Sequence, residues 1–343
     1  MKAFLAAAVV SVVLLAGSVP LCGQDASAGP FDERLASPQG LAVTPLNAPP
    51  SQFPTATTTI LTGIRGNLIT ATVFVTGGTV GAVYDRKTQT WTKLTIPGAS
   101  STAAYGPDPL ASGYRIVGSF TPSSQTGDVG FIYDSSTKRV IKVSAKALLR
   151  PSKNYNYTVI HSIKGNNAVG NYNYFKTPPS GLPSSANSFH AFIYNIPSKQ
   201  FITIDMPNAK STTAYGIWQD GSVIAIAGGY TDSSGNHAYV RSLNGASKLV
   251  YNYPGAVTTH FEGITGTGKA GNYNVVGDYS DVKSPSGPVH GFFLPITNWK
   301  AGTPVIIGRV SVNSVYNRTA VGLYQRGTEL SGYYVNIPVP DPP

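Results

Sequence analysis

Six times along the chain a short apolar-aromatic run returns, and this recurrence limits the fold more than any other feature. Its copies are Gly81-Ala-Val-Tyr84, Gly130-Phe-Ile-Tyr133, Ala191-Phe-Ile-Tyr194, Ala238-Tyr-Val-Arg241, Gly291-Phe-Phe-Leu294 and Gly332-Tyr-Tyr-Val335, spaced 41 to 61 residues apart. A second anchor precedes five of them: Ile116-Val-Gly-Ser-Phe120, Ala168-Val-Gly-Asn-Tyr172, Ile226-Ala-Gly-Gly-Tyr230, Val275-Val-Gly-Asp-Tyr279 and Ala320-Val-Gly-Leu-Tyr324. In the first unit Ile69-Thr-Ala-Thr-Val73 stands there without the glycine. The clearest unit, Ser211 to Pro254, holds four short runs closed by Gln219-Asp220-Gly221, Asp232 to Asn236 and Asn244 to Ser247. Alternating apolar runs bounded by such residues read as an antiparallel four-stranded meander. Six meanders in series predict an all-β chain, a β-propeller of six four-stranded blades. Seven blades remain open if the 61-residue interval hides part of another.

The sixth unit stops after its third strand, near Asn336, and runs into a Pro-rich tail at 338–343. Leu41 to Ala48 resembles Phe201 to Ala209 in pattern and in its Asn-Ala exit, one residue shorter. An N-terminal strand completing the last blade would close the ring and remove free sheet edges. The repeat domain is thus placed at 41–337. Three irregular stretches read as loops or a helical turn: Phe175 to Ser188, Asp281 to Pro288, and Ala145 to Leu149. Recognition commonly lives on loops of this kind.

Lys2 and a following apolar run, then Ala26-Ser27-Ala28, have the tripartite form of a secretory signal, so residues 1–28 are expected to be removed and 29–40 to be a linker. The run is short for a membrane span, and export to the periplasm or medium is the expectation. Lipidation of Cys22 is disfavoured because Val19-Pro20-Leu21 lacks the small residue expected before the cysteine. Cys22 is the only cysteine, so cleavage leaves neither disulfide nor thiol chemistry. Net charge is +10, and losing Lys2 and Asp25 leaves it unchanged. Outside the cell that balance suits an anionic polysaccharide or other envelope polymer. No Lys/Arg run exceeds two residues, which gives nucleic-acid binding little support.

The units resemble the HAF family of exported bacterial repeat proteins, named for a His-Ala-Phe tripeptide. It stands here as His190-Ala191-Phe192, and as variants in His237-Ala238-Tyr239 and His290-Gly291-Phe292. Thr212 to Ile217, Val276 to Tyr279 and Tyr230 to His237 support the likeness, which covers roughly residues 57 to 336. It implies an exported propeller-like protein and brings no catalytic residues with it.

Against catalysis, there is no Gly-x-Ser-x-Gly. Gly263 to Lys269 imitates a phosphate loop, but Ala270 replaces the required Ser or Thr and a strand follows. The three repeat histidines occupy equivalent places in different blades and are expected to bond neighbouring turns, so no metal or other cofactor is assigned. His161 and His260 fall outside that pattern. Asp85 and Asp134 share a post-strand turn position. Glu262, Asp232, Asp278 and Asp281 remain as carboxylates able to converge, and a close pair among them would favour a hydrolase. Twenty tyrosines, several alternating with Asn, suit sugar recognition through flat faces and paired donors and acceptors. Tyr155, Tyr157, Tyr174, Trp218 and Trp299 are the candidate ligand-binding residues, the two tryptophans placed in turns by this register. Tyr172, Tyr230, Tyr279 and Tyr324, fixed in the repeat, are expected to be core. The reading is an exported, non-catalytic binding module for carbohydrate or another envelope polymer. The alternatives are a carbohydrate-active hydrolase and a scaffold for a protein partner.

Overall fold

A computed structural model describes residues 41–124, 127–149, 155–174, 189–281 and 289–338. The expected signal peptide and linker, the loop at 175–188 and most of the Pro-rich tail lie outside these residues. So do the side chains of Tyr155 and Tyr174.

The described residues open with β1 (Val43–Pro45), then build the first blade from β2 (Thr58–Arg65), β3 (Leu68–Val75), β4 (Gly78–Asp85) and β5 (Thr90–Lys93). The second is β6 (Ala99–Pro109), β7 (Tyr114–Pro122), β8 (Val129–Asp134) and β9 (Arg139–Val143), followed by a single helical turn, α1 (Ala145–Leu148). The third is β10 (Tyr155–Lys164), β11 (Asn167–Tyr174), β12 (Phe189–Asn195) and β13 (Gln200–Thr203). The fourth is β14 (Ser211–Asp220), β15 (Val223–Thr231), β16 (Asn236–Ser242) and β17 (Lys248–Tyr251). The fifth is β18 (Thr258–Gly266), β19 (Tyr273–Ser280), β20 (His290–Thr297) and β21 (Lys300–Ala301), with β22 (Val305–Gly308) also pairing β20. The sixth joins β23 (Ser311–Tyr316), β24 (Thr319–Arg326) and β25 (Glu329–Asn336) to β1.

Six four-stranded antiparallel blades in a ring make this a six-bladed β-propeller, and the seven-blade alternative falls away. The long interval is accounted for by α1 and the 175–188 loop. The first strand of each blade is innermost and packs on the first strands of its neighbours, β2 against β23 included, so the ring is closed. The closing strand pairs Val43 with Val335 and Pro45 with Tyr333. Asn47 extends that join: its Nδ2 donates to Ser331 Oγ at 2.8 Å and its Oδ1 accepts from the Gly332 amide at 3.0 Å.

A threonine on the inner strand of four blades latches the chain arriving from the blade before. Thr59, Thr158, Thr212 and Thr259 accept, through Oγ1, the amides of Ala48, Ala145, Met206 and Tyr253 at 2.9–3.0 Å. The repeat glycine on the second strand answers to a close approach rather than to a turn. A Cβ at Gly228 would lie 2.0 Å from the Thr213 carbonyl oxygen, and Gly118, Gly170, Gly277 and Gly322 are placed alike. Between the blades the buried side chains form successive apolar clusters, such as Phe261, Phe292 and Leu294 with Ala227 and Val240. Burial of this kind supplies the stability that the chain does not draw from cross-links.

Strand direction fixes which loops share a rim. Turns joining first to second and third to fourth strands lie at one end of the ring, the turn end. Second-to-third loops and blade-to-blade connections lie at the other, the loop end. The stretches at 175–188 and 281–288 both join second to third strands, so they leave from the loop end together.

The central channel as candidate functional site

Each inner strand carries a β-bulge at the same place. The pairing register skips one residue in every blade: Thr62, Tyr105, His161, Tyr215, Glu262 and Asn313. A bulge turns the extra side chain away from the regular ladder and is a common device beside functional sites. Here the residue after the bulge is Gly or Ser in all six blades. The reason is crowding at the axis: a Cβ on Gly63 would collide with the Tyr105 carbonyl, and one on Gly263 would lie 2.8 Å from Ser314 Cα.

The bulged side chains meet one another around the axis. Ring centroids lie 4.8 Å apart for Tyr105 and His161, 4.4 Å for His161 and Tyr215, and 4.8 Å for Tyr215 and His260. Four successive blades therefore contribute one continuous arc of rings, which is possible only on the side facing the channel. His260 reaches the arc because the neighbouring blade has Gly229 there, and a Cβ on Gly229 would sit 1.9 Å from the imidazole Cδ2. His260 Nε2 contacts Thr213 Oγ1 at 2.8 Å, and its Nδ1 contacts Glu262 Oε1 at 2.8 Å. Asn313 completes the circle, donating to the Leu61 carbonyl at 2.7 Å, and Thr62 donates to the Ala104 carbonyl at 2.5 Å.

Two polar atoms in this belt, Tyr157 Oη and His161 Nε2, have no hydrogen-bond partner among the described residues, and the Tyr215 phenol has at most a marginal one in Thr213. The three side chains are buried, at 4%, 7% and 4% exposure. Leaving such a group unpaired costs about 1–3 kcal/mol. Burial pulls His161 down to about 3, with His260 adding to the effect, so its imidazole is neutral at physiological pH. Burial likewise pushes the Tyr157 and Tyr215 phenols well up, with Asp128 acting next on Tyr157 and Glu262 on Tyr215.

Asp278 stands across the strand pair from His260 and accepts the Val312 amide of the next blade at 3.0 Å. Desolvation, and then the Glu262 carboxylate, push its carboxyl well above the usual range. Of the four acidic candidates, Glu262 and Asp278 therefore come together in the channel. Asp232 lies on a loop at the rim, accepting from Ser234 and 3.3 Å from His237.

The turn end of the channel is plugged. Arg65, on the first blade, pairs with Asp108 on the second at 3.2 Å and donates to the Ile163 carbonyl on the third. Its Nη2 donates to the Ile217 carbonyl on the fourth at 3.2 Å. The fourth blade is diametrically opposite the first in a ring of six, so this side chain crosses the axis. Asp108 Oδ2 also accepts the Gly165 amide at 2.9 Å.

The five residues proposed from sequence do not form one surface. The backbones of Tyr155 and Tyr174 pair at the loop end, with Tyr157 nearby but buried against Phe189 at 5.6 Å. Trp218 and Trp299 lie at the turn end. Trp218 is within β14 rather than in a turn, and the Arg65 and Lys164 cations lie 5.1 and 5.2 Å from its ring centre. Trp299 sits in its expected turn with its edge toward Tyr273 at 5.3 Å, away from the inner strands. Of the three whose side chains are described, Tyr157 alone belongs to the channel arc. The repeat histidines serve the blade edges: His190 Nδ1 meets Asp205 at 2.6 Å and His237 Nδ1 meets Asn252 at 2.8 Å. The rings of His190, His237 and His290 pack on Tyr172, Tyr230 and Tyr279 at 5.2, 4.9 and 5.0 Å. Among the described residues, no group of three or more His, Cys, Asp or Glu is placed to hold a metal ion. Nor is any helix there long and apolar enough to cross a membrane.

The fold and channel define the class: a closed six-bladed β-propeller with a polar, aromatic-lined axis. No family model and no curated protein matches the chain. Among solved structures, that of YjhT is similar with a TM-score of 0.50 at 12% identity, over 88% of this chain and 97% of that one. An oligogalacturonate lyase from Vibrio parahaemolyticus gives 0.48 at 10% identity, over 88% and 95%. The β-propeller domain of the trilobed protease from Pyrococcus furiosus, described as having an open velcro topology, gives 0.45 at 10%, over 84% and 100%. At these identities the likeness is one of fold.

Proposed function

We propose that this is an exported propeller of the HAF-repeat kind that binds carbohydrate, and that the sugar enters the central channel from the loop end. The observation that carries this reading is that Tyr157 Oη and His161 Nε2 are buried and without partners among the described residues, with the Tyr215 ring packed on His161. Polar atoms left in that state call for a ligand or ordered water. A sugar hydroxyl donates and accepts at once, and tyrosine faces suit its C–H groups. The Arg65 plug supports access from the loop end, where the 175–188 and 281–288 stretches also leave the ring. The earlier inclination toward an anionic polymer, drawn from net charge, gains no support from the channel, where Glu262 and Asp278 stand. A glycan-array screen followed by calorimetry tests the reading. Tyr215→Phe and His161→Phe should each weaken binding about tenfold, the loss of one or two hydrogen bonds, while leaving the ligand-free fold at least as stable. Saturable binding unchanged by both substitutions would place the ligand elsewhere.

The Glu262–Asp278 pair favours a second reading, a hydrolase in which Asp278 in its acid form protonates the leaving oxygen and Glu262 activates water. Release of reducing ends from a bound oligosaccharide, abolished by either Glu262→Gln or Asp278→Asn, would select it over simple binding.

A further inference from the structure

Resting on the reading of the channel as a sugar site, we propose that the sugar residue held there carries a free primary amine: an amino sugar, protonated in solution, rather than a neutral or acidic one. Three carboxyl groups bear on the channel arc. Glu262 lies within the ring of bulged residues, and Asp278 faces His260 across the strand pair. Asp128, just before β8 at the loop end of the second blade, accepts the Thr158 amide through its backbone carbonyl at 2.9 Å, next in sequence to Tyr157. The cations Arg65 and Lys164 lie at the opposite end, where Asp108, two backbone carbonyls and the face of Trp218 engage them. The mouth thus gathers carboxyl groups in a chain whose net charge is +10.

An acidic sugar would bring a carboxylate toward Glu262, and like charges in a partly desolvated site repel strongly; burial favours the acid forms of Asp278 and Asp128, and a ligand cation would relieve that cost. An ammonium group suits the same walls. It offers three donors and no acceptor, against the acceptor nitrogen of neutral His161, the tyrosine oxygens and Glu262. Tyr105, Tyr157 and Tyr215 add ring faces, which attract a cation. The neutral state of His161 means that it presents no opposing charge. Surface electrostatics cannot produce the same selectivity, because a protein of net charge +10 repels a polycation at long range.

The experiment is isothermal titration calorimetry of the full protein against three β-1,4 oligosaccharides of equal length, built from glucosamine, N-acetylglucosamine and glucose. The glucosamine oligomer should bind at physiological salt, and the other two at least about tenfold more weakly, since each lacks one charge-assisted hydrogen bond. Glu262→Gln should weaken the glucosamine oligomer by roughly ten- to hundred-fold and the other two by several-fold less, so that the preference for the amine shrinks. Near-UV circular dichroism checks its fold, and Asp128→Asn serves as a second variant should the first not fold. Equal or tighter binding of the glucose or N-acetylglucosamine oligomer overturns the amine assignment while the sugar site stands. Glucosamine binding indifferent to both substitutions overturns it as well, by placing the cation outside the channel. Failure of all three oligomers to bind removes the sugar reading together with this one.

Discussion

Arg65 allows the sharpest energetic test of the channel. Its guanidinium and the Asp108 carboxylate are 8% and 3% exposed, so each depends on the other for compensation. Removing one member of a buried ion pair costs about 3–5 kcal/mol, most of it the penalty of leaving the other charge uncompensated. In Arg65→Ala, Asp108 keeps the Gly165 amide at 2.9 Å and Lys164 Nζ at 3.9 Å. That places the loss near the lower end, about 3 kcal/mol, with the Ile163 and Ile217 carbonyls losing their donor besides. The diagnostic variant is Asp108→Asn, which keeps the shape and an acceptor and removes the charge. In the wild-type background it should destabilise, because Arg65 is then buried without a counter-charge. In the Arg65→Ala background it should restore roughly 1–2 kcal/mol, because the stranded carboxylate is gone. Equilibrium urea unfolding of the four proteins at one pH, with equal denaturant slopes, gives the cycle. If Asp108→Asn weakens both backgrounds alike, the desolvation reasoning fails and the carboxylate acts only as a hydrogen-bond acceptor.

Three further outcomes are expected. Asn47→Ala removes the bonds to Ser331 and Gly332 and leaves a Gly332 amide unpaired, for a loss of about 1–3 kcal/mol in the same unfolding assay; truncation through Ala48 should go further and produce self-association on size exclusion, because β25 becomes a bare edge. Asp278→Asn tests the pH dependence: a carboxyl whose folded pKa is raised contributes stability fully below its ordinary value of 3.8 and loses it as pH climbs through the raised value. The stability of wild type relative to this variant should therefore fall as pH rises above about 4, and a flat or rising difference in urea midpoints would contradict the desolvation of Asp278.

The architecture was legible because a propeller repeats its constraints. The Val-Gly pairs, the third-strand runs and the turn clusters recur since each blade must solve the same packing problem, and the missing last strand pointed back to Leu41–Ala48. Even there the register needed the structure. Leu46 and Ile204 both donate to the third strand, at Gly332 and Ala191, so Asn47 is the counterpart of Asp205 and not of Asn208. Asn47 binds the Gly332 amide as Asp205 binds that of Ala191 at 2.9 Å.

The site was hidden for the opposite reason. Thr62, Tyr105, His161, Tyr215, Glu262 and Asn313 share a position but not a residue type, so a search for recurring chemistry passes over them. His161 and His260 fell outside the repeat only because the alignment was anchored on third strands, whereas both belong to first strands. What does recur is their frame: Thr-x-x (with Val310 for Thr in the sixth blade), the free residue, Gly or Ser, then Ile, Val or Pro, as in Thr212-Thr-Ala-Tyr215-Gly-Ile and Thr259-His-Phe-Glu262-Gly-Ile. The threonine latches the preceding blade and the small residue lets inner strands close on the axis, so both are fixed by folding. The bulged side chain between them turns toward the axis, where Thr62 and Asn313 bond the next inner strand while Tyr105, His161 and Tyr215 meet as rings, so its identity answers to its neighbours at the axis and not to the blade repeat. In a repeat protein of this kind, the position whose frame is constant and whose occupant varies is the one to read for function.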